Sequence, residues 1–530
     1  MSGGEDSKMP DGFAIDALAR TASSICVADW FLSRVVQRGE AIALQSGERT
    51  LTYRELNERI NKLAHWMIHC GLTRGDRIAV LSENRTEYVE IELAAAKLGI
   101  ISACQNWRQA EPELTYCIRT VEPKLIFVSE RYAPVLERID HGVKQVLLLG
   151  PDYERALAQS TDGSEPPHLA QSEDGLIIIY TSGTTGMPKA AVISHRAMIA
   201  RTLISALDRH FDGDDGYLAW TPMFHMGASD YIYSTLLRGA KVVVLDGFQA
   251  EAITQIVATE KLGWLHLNSA VIDRVIAQMR RDGTRPKGLK LVGVMADLVK
   301  RETIAELTTL MGAPFANTFG STETGPVPAS KGSIPIGVVP ERLSKVQSSV
   351  CHLRLVDEND HDVEPGEPGE ALVRAPSLFS GYWRAPEINA EIFAGGWYRM
   401  GDVFRRNPDG TLDFVDRRKY LIKSGGENIY PAEIERNLVG TPRIANAVVV
   451  RRSDARWGEV PVVFVIARDK GLTAEDVLNL CRGKIASYKM PKEVKFITEE
   501  ELPRNDSGKI KRHELEARLT AELVSPQRTS

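Results

Sequence analysis

The chain has 530 residues and a mass of 58.6 kDa, too long for one ordinary core and enough for roughly three or four units of about 150 residues. Hydrophobic residues at 43% and charged residues at 25% are globular values and exclude a disordered chain. Lys plus Arg (65) nearly balances Asp plus Glu (70), so the net charge of −5 removes a bulk electrostatic case for nucleic acid and leaves small anions held by local cations.

No apolar run approaches the roughly 18 residues of a membrane span. The stretch Met1 to Asp11 is polar and lacks the basic start and apolar core of a signal peptide. The six cysteines (Cys26, Cys70, Cys104, Cys117, Cys351, Cys481) form no Cys-x-x-Cys pair, so neither a zinc site nor a disulfide framework is expected. A reducing, cytoplasmic setting is the expectation.

In chain order, the first α/β stretch reads as a strand at Arg77 to Leu81, a helix at Thr86 to Leu98 and a strand at Ile100 to Cys104. A second begins with the bare apolar strand Leu176 to Tyr180 and a helix at Ala197 to Asp208. Strands at Tyr217 to Thr221, Ala240 to Leu245, Trp264 to Leu267 and Leu289 to Val294 then alternate with helices at Glu251 to Lys261, Ala270 to Arg280 and Lys300 to Met311. Unbroken apolar strands between helices predict α/β units whose parallel sheets are covered on both faces. From about Ser344 short antiparallel strands follow, at Val350 to Leu355, Ala371 to Arg374, Val403 to Arg405 and Leu412 to Val415. Pro365 to Glu370 and Asn407 to Gly410 read as turns between them. A last region has strands at Ala447 to Val450 and Val460 to Ile466 and a helix at Ala474 to Ala486, with a polar tail after Glu522. The expected boundary is Arg418 to Tyr420, giving a large domain, residues 1–418, whose part from about 344 to 418 is β-rich, and a small domain, 419–530.

The most informative segment directly follows the strand Leu176 to Tyr180: Thr181, Ser182, Gly183, Thr184, Thr185, Gly186, Met187, Pro188, Lys189. Glycines let backbone N–H groups turn inward, hydroxyls add donors and Lys189 ends the loop with a positive charge, an inventory that suits a polyphosphate. It is not the common P-loop, because Gly186 stands two residues too early relative to Lys189 and Ala190 follows where Ser or Thr would meet magnesium.

This loop resembles the signature of the adenylate-forming superfamily: acyl-CoA synthetases, luciferases and peptide-synthetase adenylation domains, with acyl- and aryl-CoA synthetases the nearest. The resemblance runs from about Leu51 to Leu515, with further motifs in the family's order. Phe319, Gly320, Ser321, Thr322 and Glu323 resemble its Tyr-Gly-x-Thr-Glu segment. The resemblance implies an aromatic face on adenine, Thr322 on phosphate and Glu323 as the magnesium ligand. Trp397 to Asp402 resembles Trp-Tyr-x-Thr-Gly-Asp, with Asp402 implied at the ribose hydroxyls and Met400 in place of Thr. Asp416 to Glu435 is similar to the family's domain junction. Arg417 is then implied at ribose and phosphate, Lys419 at the hinge, and Lys423, Ser424, Gly425 and Gly426 at the CoA step. Pro503 to Ile510 resembles the catalytic-lysine motif, with Lys509 implied between the substrate carboxylate and the α-phosphate.

His225, with Met226 and Gly227, falls where the family guards the acyl carboxylate. Peptide-synthetase domains usually carry Asp there, so the resemblance argues against an amino acid substrate. Val294, Met295 and Ala296 fall beside the implied adenine and acyl pocket, where relatives have smaller residues. Either the pocket is altered in depth and closed to a long straight chain, or those side chains enter the core.

What the resemblance implies is a ligase that uses ATP, Mg2+ and coenzyme A to convert an apolar monocarboxylic acid (fatty, aromatic or alicyclic) into its acyl-CoA through an acyl adenylate. The fold it implies is a large domain of parallel α/β subdomains with a small β-barrel-like part, plus a small mobile α+β domain. Its partners are small molecules, with no nucleic acid and no transmembrane segment; a homodimer is compatible with it. A carrier-protein loader, a luciferase-type oxygenase and a nucleotide-binding regulator without turnover stand as alternatives.

Overall fold

The computed structural model describes residues 22–160, 162–181, 187–424, 427–439, 441–504 and 509–524. Two mostly parallel sheets dominate it. One has six strands in the order Gln145–Leu148, Leu125–Val128, Arg77–Leu81, Ile101–Cys104, Gly175–Thr181, Lys189–Ser194, parallel except for the last pair. The other has eight, with Gly216–Ala219 and Lys261–Leu265 central and antiparallel edges at Arg49–Thr52 and Ser333–Ile334.

One core cluster draws residues from both sheets, including Leu44, Val80, Cys104 and Val242, and from the helices Tyr53–His69, Thr86–Leu98 and Met226–Arg238. Those helices are therefore held between the sheets. All thirteen residues of Thr86–Leu98 are buried, and the helix stops at Gly99, whose φ of +66° makes the left-handed cap that favours glycine. A second cluster packs the helices Ala250–Thr259, Ile272–Asp282 and Arg301–Met311 on the outer face of the eight-stranded sheet. A four-stranded antiparallel sheet follows: His352–Val356, Pro368–Arg374, Tyr398–Arg406, Leu412–Arg417. After the single 3-10 turn Arg418–Tyr420 the chain enters a separate five-stranded sheet built on the hairpin Ile444–Asp454 and Gly458–Ala467. The large α/β domain with a β-rich part and the smaller α+β domain are thus as expected.

The differences have local causes. The two α/β stretches do not each form one sheet. Gly175–Thr181 pairs with Ile101–Cys104 in the first sheet, and the N-terminal strand Ile42–Ser46 joins the second beside Val242–Val244. Lys261, expected in a helix, starts the strand Lys261–Leu265. The strand expected to reach Val294 ends at Val292, because Gly293 turns the backbone with φ +77° against the Phe315 ring. The helix expected to reach Ala486 ends at Cys481, where Arg482 is extended. Residues 368–370, expected in a turn, are already strand and pair with Val403, Phe404 and Arg405. Among the described residues, no helix is long and apolar enough to cross a membrane.

The N-terminal helix Val27–Arg38 is tied to this core by a histidine. His195, wholly buried, accepts a hydrogen bond at Nδ1 from the Val27 N–H at 3.2 Å. Burial pushes its imidazole from 6.5 down to about 4, against the opposing pull of Asp174 and Asp29. The folded state holds His195 neutral, whereas the unfolded chain takes up a proton near pH 6.5. Its contribution is complete above that pH and is lost as pH falls toward 4, by about 2–4 kcal/mol. Thermal unfolding followed from pH 7.5 to 4.5 should show this acid limb. His195→Asn, which retains an acceptor but does not titrate, should make the limb shallower; an unchanged limb would show that His195 is not its source.

Candidate active site

The candidate residues arrive from several elements of both domains. The hairpin Phe319–Ser321 and Gly325–Ala329 presents Thr322 and Glu323 in its turn. Thr324 locks that turn: its hydroxyl accepts from the Ser321 N–H at 3.0 Å and donates to the Val327 carbonyl at 2.6 Å. The Glu323 carbonyl accepts from the Phe379 N–H at 2.8 Å, so the backbone faces protein. The Glu323 carboxylate accepts at Oε1 from the Tyr382 hydroxyl at 2.7 Å. Lys189 lies with Nζ 5.0 Å from the centre of the Tyr382 ring. Thr181 pairs across the sheet with Lys189, and its side chain also reaches Tyr382. Tyr382 thus joins the phosphate-loop strands to Glu323. It carried no recognisable motif, and its only sequence signal was its place in the apolar run Leu378 to Trp383.

Asp402 and Arg417 are cross-strand partners in the four-stranded sheet. Asp402 lies inside the strand Tyr398–Arg406, which bulges there: Gly401 has φ +73°, and Arg399 and Val403 pair with Leu372 and Glu370. Arg417 Nε lies 3.2 Å from Asp402 Oδ1 without hydrogen-bond alignment, and that buried oxygen has no hydrogen-bond partner among the described residues. Burial raises the Asp402 carboxyl to about 6, partly opposed by Arg417. A buried acceptor lacking a donor is suited to a ligand hydroxyl. Met400, which replaces the family's Thr, packs into two core clusters. Phe319 is buried with its ring stacked on Phe414 at 4.7 Å and edge-on to Phe404 at 5.0 Å.

Lys509 joins these residues at one cleft from the small domain. It keeps solvent access, yet enough protein surrounds it that desolvation lowers its pKa, followed by repulsion from Arg417 and attraction to Glu323. Asp402 and Lys419 also act on it, and its charge acts in turn on His225. Lys509, Glu323, Asp402, Arg417, Lys419 and His225 therefore share one electrostatic environment. Lys419 also lies 5.0 Å from the Tyr420 ring.

His225 caps the helix Met226–Arg238, accepting at Nδ1 from the Gly227 N–H at 3.1 Å. Burial, then the charge of Lys509, lowers its pKa to about 3, so it is a neutral imidazole at working pH. Gly227 is wedged between His225 and His266: a Cβ there would come within 3.0 Å of the His266 ring. Met226 is half-buried and Ala296 fully buried. Val294 is half-buried against the central core. Met295 does not enter the core; it is 41% exposed, with φ +53°, a left-handed conformation uncommon for methionine. Gly320 is exposed and Ser321 half-buried beside it.

The structure does not bring Lys423 to this cleft. Its strand Ile422–Ser424 lies in the small domain's sheet, and Nζ pairs with Glu358 at 2.7 Å. Ser182, Gly183, Thr184, Thr185, Gly186, Gly425 and Gly426 lie outside the described residues.

Among the described residues no group of three acidic, His or Cys side chains is placed to cage a metal. The Glu323 carboxylate, with Oε2 not bonded by any described residue, is a single hard oxygen ligand. That suits magnesium, which takes one or two carboxylates together with substrate phosphates.

Residues 31–383 match the family of AMP-binding enzymes, and residues 433–509 match the AMP-binding enzyme C-terminal domain. The chain is 34% identical over 490 residues to the indoleacetate–CoA ligase of Aromatoleum aromaticum, covering 89% of this chain and 94% of that protein. It is 30% identical over 496 residues to a 2-succinylbenzoate–CoA ligase of Bacillus cereus, covering 92% and 97% respectively. Its fold is similar to that of o-succinylbenzoate CoA synthetase from Bacillus subtilis bound to its acyl-adenylate intermediate, with a TM-score of 0.81 at 24% identity over 93% of this chain and 98% of that one. The resemblance drawn from the motifs therefore holds, and the chain belongs to the AMP-binding enzyme family.

Proposed function

We propose that this chain is an ATP-dependent carboxylic acid–CoA ligase that forms an acyl adenylate and then an acyl-CoA thioester. The observation that carries the reading is the convergence of Lys509, Glu323, Asp402, Arg417 and His225 on one cleft. The names of the relatives favour CoA as acceptor over a carrier protein, and favour an acid bearing an aromatic ring within the apolar class.

The chemistry needs no protein nucleophile. A carboxylic acid is ionised at neutral pH. Its oxygen bonds to the α-phosphorus of ATP, and the bond from that phosphorus to the bridging oxygen breaks, releasing pyrophosphate. A thiol then bonds to the acyl carbon as the bond to AMP breaks, and its proton leaves with solvent. The first difficulty is bringing two anions together, and positioning lowers such a barrier by about 7–11 kcal/mol. Lys509 lies between the acid and the α-phosphate, the Thr322 hydroxyl meets phosphate, Asp402 and Arg417 hold the ribose, and neutral His225 borders the acid's carboxylate. Preorganised donors and cations contribute more as charge develops. Glu323 would hold the magnesium ion, which when bound neutralises charge on the phosphates.

The division between domains lies at Arg418–Tyr420, where the chain leaves one sheet and enters another through a single 3-10 turn. Rotation about Lys419 exchanges Lys509 for the strand carrying Lys423 and Ser424 at the second step. The outward pairing of Lys423 with Glu358, while Lys509 lies in the cleft, supports assigning this arrangement to adenylation.

Lys509→Ala should lower acid-dependent exchange of pyrophosphate into ATP by about a hundred-fold or more. CoA transfer to preformed acyl adenylate should be unchanged; equal loss in both steps would contradict the division of roles. The ribose hydroxyls donate to ionised Asp402, whose carboxyl titrates near 6. ATP affinity should therefore weaken as pH falls through 6, by up to about tenfold per unit. Asp402→Asn should bind ATP weakly at every pH and keep only the dependence set by the ATP phosphates; calorimetric titration from pH 5 to 8 checks this. Met295→Ala should admit longer or bulkier acids, and an unchanged acid profile would remove Met295 from the pocket wall.

A further inference from the structure

Arg201 is the largest fully buried side chain among the described residues, at 1% exposure, and no motif singled out in the sequence includes it. It sits on the helix His195–Arg209, which continues directly from the strand Lys189–Ser194. All three arms of its guanidinium are used. Nη1 donates to both oxygens of buried Asp230, at 3.0 and 3.2 Å. Nη2 donates to the Thr322 carbonyl at 2.8 Å, and Nε to the Ser377 carbonyl at 3.1 Å. Asp230 belongs to the helix that His225 caps. Ser377 opens the segment that holds the Thr322–Gly325 turn from its other side: its hydroxyl donates to the Thr324 carbonyl at 2.9 Å, the Phe379 N–H to the Glu323 carbonyl at 2.8 Å, and Tyr382 to the Glu323 carboxylate. Gly325 closes the turn at φ +67° directly on the Arg201 stem, where a Cβ would lie 2.7 Å from Cγ and Nε.

Burying an ion pair is an expensive way to fill this volume. Each ion loses its hydration, and apolar residues of similar size are often as stabilising or more so. What an apolar filling cannot do is tie two backbone carbonyls, those of Thr322 and Ser377, to the Asp230 carboxylate through one rigid fork. A lysine cannot do it either, because its single ammonium lacks the rigid fork. We propose that Arg201, held by Asp230, is a positioning residue. It sets the Thr322–Glu323 turn relative to the Lys189 strand and the His225 helix, and so couples the acid side of the cleft to the ATP side. It touches neither substrate. The proposal rests on the reading that Thr322 and Glu323 bind ATP and its metal.

Two variants separate positioning from stability. Arg201→Lys keeps a charge opposite Asp230 and loses the fork. The double variant Arg201→Met with Asp230→Leu removes both charges at similar volume. Each is measured for thermal unfolding, for calorimetric binding of ATP with magnesium, and for the two half-reactions over a magnesium series. The expected result is a melting temperature within a few degrees of the parent, ATP binding at least tenfold weaker, a higher magnesium requirement, and adenylation lowered tenfold or more. Thioester formation from preformed acyl adenylate should stay within threefold. Parental ATP binding and adenylation in either folded variant would overturn the proposal, as would equal loss in both half-reactions. The binding measurement does not depend on finding the acid. If the parent binds ATP and no acid supports exchange, the ligase reading fails while the role of Arg201 is still decided by affinity.

Discussion

The cleft is organised by an electrostatic constraint: three cations, Arg417, Lys419 and Lys509, act on a buried carboxylate, Asp402, that Arg417 contacts without a hydrogen bond. Burial, and then repulsion from Arg417, pushes both Lys509 and Lys419 toward their neutral forms. Asp402 is pushed the opposite way, toward its neutral acid. The two lysines and Asp402 are thus less comfortable in their charged forms than they would be in water, while Asp402 holds Arg417 charged. A polyanion bearing a ribose relieves both tensions at once, supplying negative charge to the cations and hydroxyl donors to Asp402. The fold maintains this arrangement by placing Asp402 and Arg417 on adjacent strands and bringing Lys509 from a second domain.

Rigidity around the cleft follows from the same need. Glu323 is held through its backbone by Phe379 and through its carboxylate by Tyr382, and its turn is closed by Thr324. The helix capped by His225 is packed between the two large sheets. Around Lys509, by contrast, there is one short turn, Arg418–Tyr420, between two independent sheets. The stiff parts carry the groups proposed to hold ATP and its magnesium, and the turn lies where the lysine must leave.

Much of this was legible in the sequence because it depends on local pattern. Arg77–Leu81 and Thr86–Leu98 are bounded where their apolar runs and the following glycine put them. The motif residues stood out because each has a distinctive set of sequence neighbours, whether it sits in a turn, as Thr322 and Glu323 do, or inside a strand, as Asp402 does. What was not legible depends on pairing at a distance. Nothing local to Ile42–Ser46 says that it pairs with Val242–Val244, about two hundred residues later in the chain. The pairing of Arg201 with Asp230 was not legible, since a buried ion pair has no signature in either segment alone and the helix Met226–Arg238 was not expected. Lys423, expected at the CoA step, faces Glu358 because the relative placement of the two domains decides its partner. The left-handed turn at Met295 was equally hidden; the sequence around it showed only unusual bulk.

The central claim is turnover at this cleft, and pyrophosphate release from ATP and magnesium over a panel of aromatic, fatty and alicyclic acids, with and without CoA, tests it most directly. The account predicts sustained release that requires both an acid and CoA, strongest with an acid carrying an aromatic ring. ATP binding with no release for any acid would contradict it and leave a nucleotide-binding regulator in its place.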